Sequence, residues 1–266
     1  MLQRFHFHRF EFKYLIFPET AAQIERELSF HMDPDAFAIH SPQRSYRVTS
    51  LYFDTDALDH YYEKLDGIKT RKKYRIRTYE ESPREGMEVF LEIKRRKNNV
   101  VIKDRANVPF EVVRLSRLGK LWDMLGREDG IPPQRRQTLE EFLFDTHRLR
   151  MSPQVLVSYI RRPLVDRISR KVRVTFDREI RSLATDRLFS TERGRFIFTD
   201  HVVMEIKFSG SLPWWLHHII QKYELSLRSI SKYCLGLEAT GRIDGGNKFV
   251  GYLRNYQWSN QKVLTQ

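Results

Sequence analysis

The sequence predicts an α+β fold: an antiparallel sheet rolled with its charged face inward to form a tunnel, with helices packed on the outside. Three observations predict it. Strand-like segments recur in which one face is apolar and the other is almost wholly Lys and Arg. Helical stretches lie between them and need an apolar surface to cover. The charged faces hold few carboxylates, and two like charges ~6 Å apart repel by roughly 3 kcal/mol at an effective dielectric of about 20. A lining of that kind is tolerable only when wet or filled with a polyanion, so a binding site explains it better than a fold requirement does. A sheet with its polar face in water is the commoner arrangement. A solvated face, however, usually mixes Thr, Ser, Gln, Glu and Lys.

The elements follow in order. His8-Arg-Phe-Glu-Phe-Lys-Tyr14 alternates Arg9, Glu11 and Lys13 against Phe10, Phe12 and Tyr14. Pro18 opens a helix with Ile24 and Leu28 on its apolar stripe. A loop at Ser41-Pro42 leads to a strand from Tyr46 to Phe53, and Ala57 to Leu65 reads as a short helix closed by Gly67. The clearest stretch is a hairpin: Arg71-Lys-Lys-Tyr-Arg-Ile-Arg-Thr-Tyr79, a turn at Pro83 and Gly86, then Phe90-Leu-Glu-Ile-Lys94. Lys73, Arg75, Arg77 and Tyr79 share one face there, as do Glu92 and Lys94. Val101, Lys103 and Arg105 share a face of the next strand.

From Val112 to Leu125 and from Leu139 to Leu149 the period turns helical, with Gly130-Ile-Pro-Pro133 between. This predicts an insertion at about 110–150 packed on the sheet. Strands resume at Gln154–Arg161, Lys171–Asp177 and Val203–Lys207. Pro213 starts a helix through Tyr223, and Ser229 to Gly236 begins another helical region. One domain over 1–245 and a tail over 246–266 are expected.

The inward cations are Arg9, Lys13, Lys73, Arg75, Arg77, Lys94, Lys103, Arg105, Arg161, Lys171, Arg173 and Lys207; the acids are Glu11, Glu92, Asp177 and Glu205. The net charge of +13 over 266 residues agrees with an anionic partner. Nucleic acid fits poorly, because bases need exposed stacking platforms and a groove. With 41% hydrophobic and 13% aromatic residues the chain is globular in composition. A lone cysteine, Cys234, in an apolar helical pattern reads as a core residue and fits a cytoplasmic setting. The N-terminal stretch does not read as a signal peptide, and no run approaches the ~18–20 apolar residues that span a bilayer. Weaker signals are set aside. His6-x-His8 lacks a third metal ligand, and Asp54-x-Asp56 reads as a cap for the helix that follows. One of Trp214 and Trp215 at least is expected to be buried.

Taken together, Arg9-x-Glu-x-Lys13, Arg75-x-Arg77, Leu91-Glu-Ile-Lys94, Arg173-Val-Thr-Phe-Asp177, Met204-Glu-Ile-Lys207 and Ser231-Lys-Tyr233 resemble, in order, the VTC domain. That is the catalytic domain of the vacuolar transporter chaperone complex, in the triphosphate tunnel metalloenzyme superfamily. The resemblance implies an antiparallel eight-stranded tunnel barrel, closed at one end by a C-terminal plug helix. It also implies transfer of the terminal phosphate of ATP to a growing inorganic polyphosphate chain, with Mn²⁺ or Mg²⁺ as cofactor.

On this resemblance Lys13, Arg75, Arg77, Lys94, Arg161 and Arg173 hold phosphates, and Lys232 reaches in from the plug. Lys103, Lys207, Arg9 and Glu11 add to the shell around the ligand. Glu205 holds metal, and Glu92 holds metal or orients its neighbours. ATP and polyphosphate are the expected partners, with tripolyphosphate or pyrophosphate as ligands, and a membrane partner is left open. The chain departs from the superfamily in carrying Arg9 where hydrolytic and cyclase branches usually have the first Glu of Glu-x-Glu-x-Lys. That leaves a two-metal, water-activating site poorly supplied with carboxylates. The alternatives are a tripolyphosphate or nucleoside-triphosphate hydrolase of the same fold and a polyphosphate-binding module without turnover.

Overall fold

Period-two alternation becomes ladder pairing in the computed structural model, which describes residues 9–98, 100–113, 119–127 and 131–243. The first part of the chain gives β1 (Arg9–Ile16), α1 (Pro18–Leu28), β2 (Met32–Pro34), β3 (Tyr46–Asp54) and α2 (Asp59–Leu65). The hairpin and its neighbour are β4 (Thr70–Thr78), β5 (Glu88–Lys97) and β6 (Val100–Pro109). The helical insertion holds α3 (Phe110–Val113), α4 (Gly119–Arg127) and α5 (Pro133–Arg148). Last come β7 (Ser152–Asp166), β8 (Arg173–Leu183), β9 (Arg195–Phe196), β10 (Val202–Ser209), α6 (Trp214–Lys222) and α7 (Lys232–Ala239).

Every ladder is antiparallel. The main path runs β1-β10-β8-β7-β3-β4-β5-β6, with β2 added to β7 and β9 to β8. Register sets charge against charge. Glu92 lies opposite Arg75 on one side and Arg105 on the other, Lys13 opposite Glu205, and Arg161 opposite Asp177.

The barrel expected from the sequence does not close. Strands β1 and β6 end the path without a ladder between them among the described residues. Near this edge a side-chain contact links β1 to the strand beyond β6: Lys94 on β5 donates to both carboxylate oxygens of Glu11 on β1, at 3.1 Å.

Some boundaries also differ from the sequence reading. Lys171 lies outside β8 and is exposed, because the turn before the strand runs through Arg170 at φ 57. Strand β7 continues past Arg161 to Asp166. Helix α5 starts at Pro133 rather than Leu139. A proline suits the first helical turn, where an N–H would be unpaired anyway, so the Pro-Pro pair begins the helix it was expected to precede. The expected tail, 246–266, and the His6-x-His8 pair lie outside the described residues.

Three apolar clusters hold the fold. Helix α5 packs Leu139, Phe142 and Leu143 on Leu51, Ile76, Leu91 and Ile93 of the outer sheet face. Helices α1 and α6 cover Tyr14, Val174, Met204 and Ile206 with Ile24, Leu28, Leu216 and Ile219. The third cluster is on the inner face: Val155, Val157 and Tyr159, in step with Arg161, pack against Tyr233, Cys234, Leu235 and Leu237 of α7. The approach is close enough that a Cβ on Gly236 would come within 2.8 Å of Val157 Cγ2. Helix α7 therefore lies on the same side of the sheet as the cations, not outside with α1, α5 and α6.

Candidate functional site

The inner face encloses a cavity of about 250 Å³. Among the described residues twelve of its lining side chains are Lys or Arg, and Glu11 and Glu205 are the only carboxylates. Strand alternation places most of them; the first turn of α7 supplies Ser231, Lys232 and Tyr233. Ser231 caps that turn by accepting from Cys234 N at 3.4 Å, and it also accepts from Lys73 Nζ at 2.9 Å.

Three acidic centres organise the cations. Glu92 is fully buried beneath the lining. Arg75 approaches it at 2.6 Å, Arg105 at 2.5 Å, Lys103 at 3.5 Å and Arg77 at 3.8 Å. Burial works against its charge, but these four cations hold the carboxyl far below the usual range. Tyrosines finish the placement: Arg75 donates to Tyr52 Oη at 3.0 Å, and Arg77 to Tyr159 Oη at 3.3 Å and Ser50 Oγ at 2.9 Å.

Asp177, also fully buried, accepts both arms of Arg161 at 2.7 and 2.8 Å and faces Lys232 Nζ at 2.6 Å. Burial opposes its charge too, and Arg161 and Lys232 outweigh that cost.

The third centre is the pair Glu11 and Glu205. Lys13 lies 3.0 Å from Glu11 and donates at 3.0 Å to the carbonyl of Ile230, while Lys207 pairs with Glu205. Burial and Glu205 both raise the Glu11 carboxyl, and Lys13, Lys94 and Lys207 more than offset them. At Lys94 the balance goes the other way. Burial outweighs the attraction of Glu11, helped by the repulsion of Lys13, and pulls the ammonium down to about 7. Burial also brings Lys103 down to about 8, with Glu92 opposing and Arg105 adding to the fall.

Of the residues expected from the sequence, Lys13, Arg75, Arg77, Lys94, Arg161, Lys232, Lys207, Glu11 and Glu205 line the cavity. Glu92, Lys103 and Arg173 do not. Glu92 and Lys103 lie in the layer behind, and Arg173 turns to Asp35 and, at 3.4 Å, Tyr46 Oη. The backbone of Arg9 opens β1, and its side chain lies outside the described residues.

The sequence reading left out Lys64, Arg71, Arg96 and Arg228, all in the lining. Arg71 and Arg96 sit in step with Arg75 and Lys94, so alternation carried one pair further would find them. Lys64 comes from α2 and meets Ser229 Oγ at 2.6 Å, and Arg228 comes from the loop before α7. Neither carries a periodic signal. Tyr52 and Tyr159 also line the cavity, and strand parity sets Tyr159 in step with Arg161.

No three His, Cys, Asp or Glu side chains stand together as a metal site among the described residues. Glu11 and Glu205 both face the cavity, close enough that the charge on Glu205 works to raise the Glu11 carboxyl. Mg²⁺ is commonly held by one or two carboxylates plus phosphate and water oxygens. The donors present therefore fit a divalent ion that arrives with its phosphates, and do not fit an all-protein cage.

A family model described as the VTC domain matches residues 8–240. Among solved structures the chain is similar to a putative adenylyl cyclase from Hippeastrum described as having a dominant triphosphatase activity. The two are 15% identical with a TM-score of 0.50, over 87% of this chain and 96% of that chain. It is also similar to a putative adenylate cyclase from Bacillus halodurans, at 13% identity and a TM-score of 0.45, over 84% of this chain and 95% of that one. No curated protein matches the chain.

Proposed function

We propose, for a chain that belongs to the VTC domain family, that it moves the terminal phosphate of ATP onto the end of a growing inorganic polyphosphate chain. The observation that carries this is the charge balance of the cavity: among the described residues, twelve cations against two carboxylates, both already engaged by lysines. Phosphoryl transfer needs positioning and neutralisation more than covalent help from the protein, and this lining offers both. A hydrolase would need a base or a metal-bound water, for which few carboxylates remain.

In this reading Arg75, Arg77 and Arg161 grip phosphate oxygens as preset forks, held by Glu92, Asp177 and the tyrosines. Lys13, Lys94, Lys207 and Lys232 act as point charges along the chain. A divalent ion, Mn²⁺ or Mg²⁺, on Glu205 and Glu11 would supply further neutralisation between phosphates. A terminal oxygen of the acceptor attacks the γ-phosphorus; the bond from that phosphorus to the β–γ bridging oxygen breaks, and ADP leaves with the electron pair. Helix α7 stops one end of the cavity and brings Lys232 to it. Glu92 serves to orient cations, since its oxygens are taken up by them.

The second reading is hydrolysis of tripolyphosphate or a nucleoside triphosphate, favoured by the activity ascribed to the Hippeastrum protein of similar fold. Purified protein given ATP and Mn²⁺, with products run on a polyphosphate gel, separates the two. Long chains support the polymerase, and orthophosphate without chains would replace it by the hydrolase.

A further inference from the structure

Away from the cavity, three turns meet and present large apolar side chains to solvent. Ile168 is 94% exposed at the β7–β8 turn, Phe30 76% exposed after α1, and Trp214 76% exposed at the start of α6. They are neighbours. Arg167 donates its backbone N–H to His31 O at 3.0 Å and its guanidinium to the carbonyls of Phe30 and Ser29 at 3.3 and 3.2 Å. The His31 ring stacks on Trp215 at 4.8 Å and meets Trp214 edge-on at 6.1 Å. The turn carrying Ile168 is fixed from beneath, with Asp166 accepting from Ser169 N at 2.8 Å. An apolar group held outward on a braced turn gains nothing from the fold.

The charge around these tips has one sign. Arg170 and Lys171 are exposed on the same turn and pair with no carboxylate among the described residues. The nearby acids are engaged: Asp33 pairs with Arg167 at 2.9 Å and Glu27 with Lys222 at 2.6 Å. We infer that Phe30, Ile168 and Trp214, flanked by Arg170 and Lys171, form a docking face for an anionic lipid surface. Exposed apolar patches of this kind mark interaction sites. Trp favours the bilayer interface, and cations beside it are drawn to anionic headgroups. A second copy of the chain is the poorer occupant. A two-fold contact through this face would bring the basic turn against its own copy, whereas an anionic bilayer complements it.

The test is flotation of the full chain with vesicles of phosphatidylcholine alone, or of equal parts phosphatidylcholine and phosphatidylglycerol. Binding to the anionic vesicles only is expected. Ile168→Ser with Trp214→Ala, which leaves net charge unchanged, should abolish most of it. Arg170→Glu with Lys171→Glu should weaken it at least about tenfold, while Arg187→Glu with Arg193→Glu, on the exposed β8–β9 connection, should have a smaller effect. Circular dichroism and melting of each variant check that the fold survives. Absence of binding to anionic vesicles overturns the inference, as does undiminished binding by the Ile168/Trp214 variant. A dimer in sedimentation that this variant dissolves would also overturn it, in favour of a second copy.

Discussion

Glu92 shows how one residue sets the character of the site. A lone carboxylate under four cations lets their guanidinium and ammonium groups crowd toward an anion they have yet to bind. Removing one partner of a buried charge network costs about 3–5 kcal/mol. Glu92→Ala should therefore lower the melting temperature by roughly 10 °C, and tripolyphosphate should restore part of that loss by supplying the missing charge. A calorimetric melt with and without the ligand checks both. Lys94 gives a pH signature. Its folded-state value, pulled down to about 7, lies below the ordinary lysine range. Between the two the unfolded chain binds the extra proton, so this residue's contribution to stability rises with pH above about 7. A bound polyanion favours the protonated form, so tripolyphosphate affinity should fall as pH rises through 7 to 8. Titration calorimetry at pH 6.5 and 8.5 should show that fall in the native protein and a flatter response in Lys94→Gln.

At the scale of elements, α7 is where sequence and structure part most informatively. The strands were legible because alternation of long cations with apolar residues has one simple solution; the register that sets Arg75 opposite Glu92 and Lys13 opposite Glu205 had no local signal and comes from the structure. Helix α7 was legible as a helix and, through the Ser231-Lys-Tyr233 motif, as a contributor of Lys232. What the local pattern could not carry is that one end of the inner face is apolar: Val155 and Val157 share a face with Arg161, and only the packed structure shows them meeting Cys234 and Leu237. Lys64 and Arg228 escaped for a related reason, since helices and loops bring single residues to the cavity without a repeating signal. The tight seat of α7 makes a prediction of its own. Gly236→Val would overpack against Val157 and should cost about 1–3 kcal/mol. Because Lys232 is carried by the same helix, loss of tripolyphosphate binding should accompany the lower melting temperature.

Over the whole molecule the open seam and the excess of positive charge belong together. Strands β1 and β6 share no ladder among the described residues, and beside that edge the Glu11–Lys94 contact joins a lining carboxylate to a lysine that burial has pulled down to about 7. A filled cavity offsets the repulsion that the empty one stores. Tripolyphosphate should consequently raise the melting temperature in proportion to the logarithm of its concentration above Kd, and the gain should shrink as salt screens the exposed part of the lining. The central claim is that the γ-phosphate of ATP passes to another phosphate rather than to water. It is tested most directly by following γ-labelled ATP with Mn²⁺ in the native protein and in Arg75→Ala. The account predicts label in chains that lengthen with time in the native protein, and at least about a hundredfold slower labelling in the variant. Label found only in orthophosphate, or chain labelling undiminished in Arg75→Ala, would contradict it.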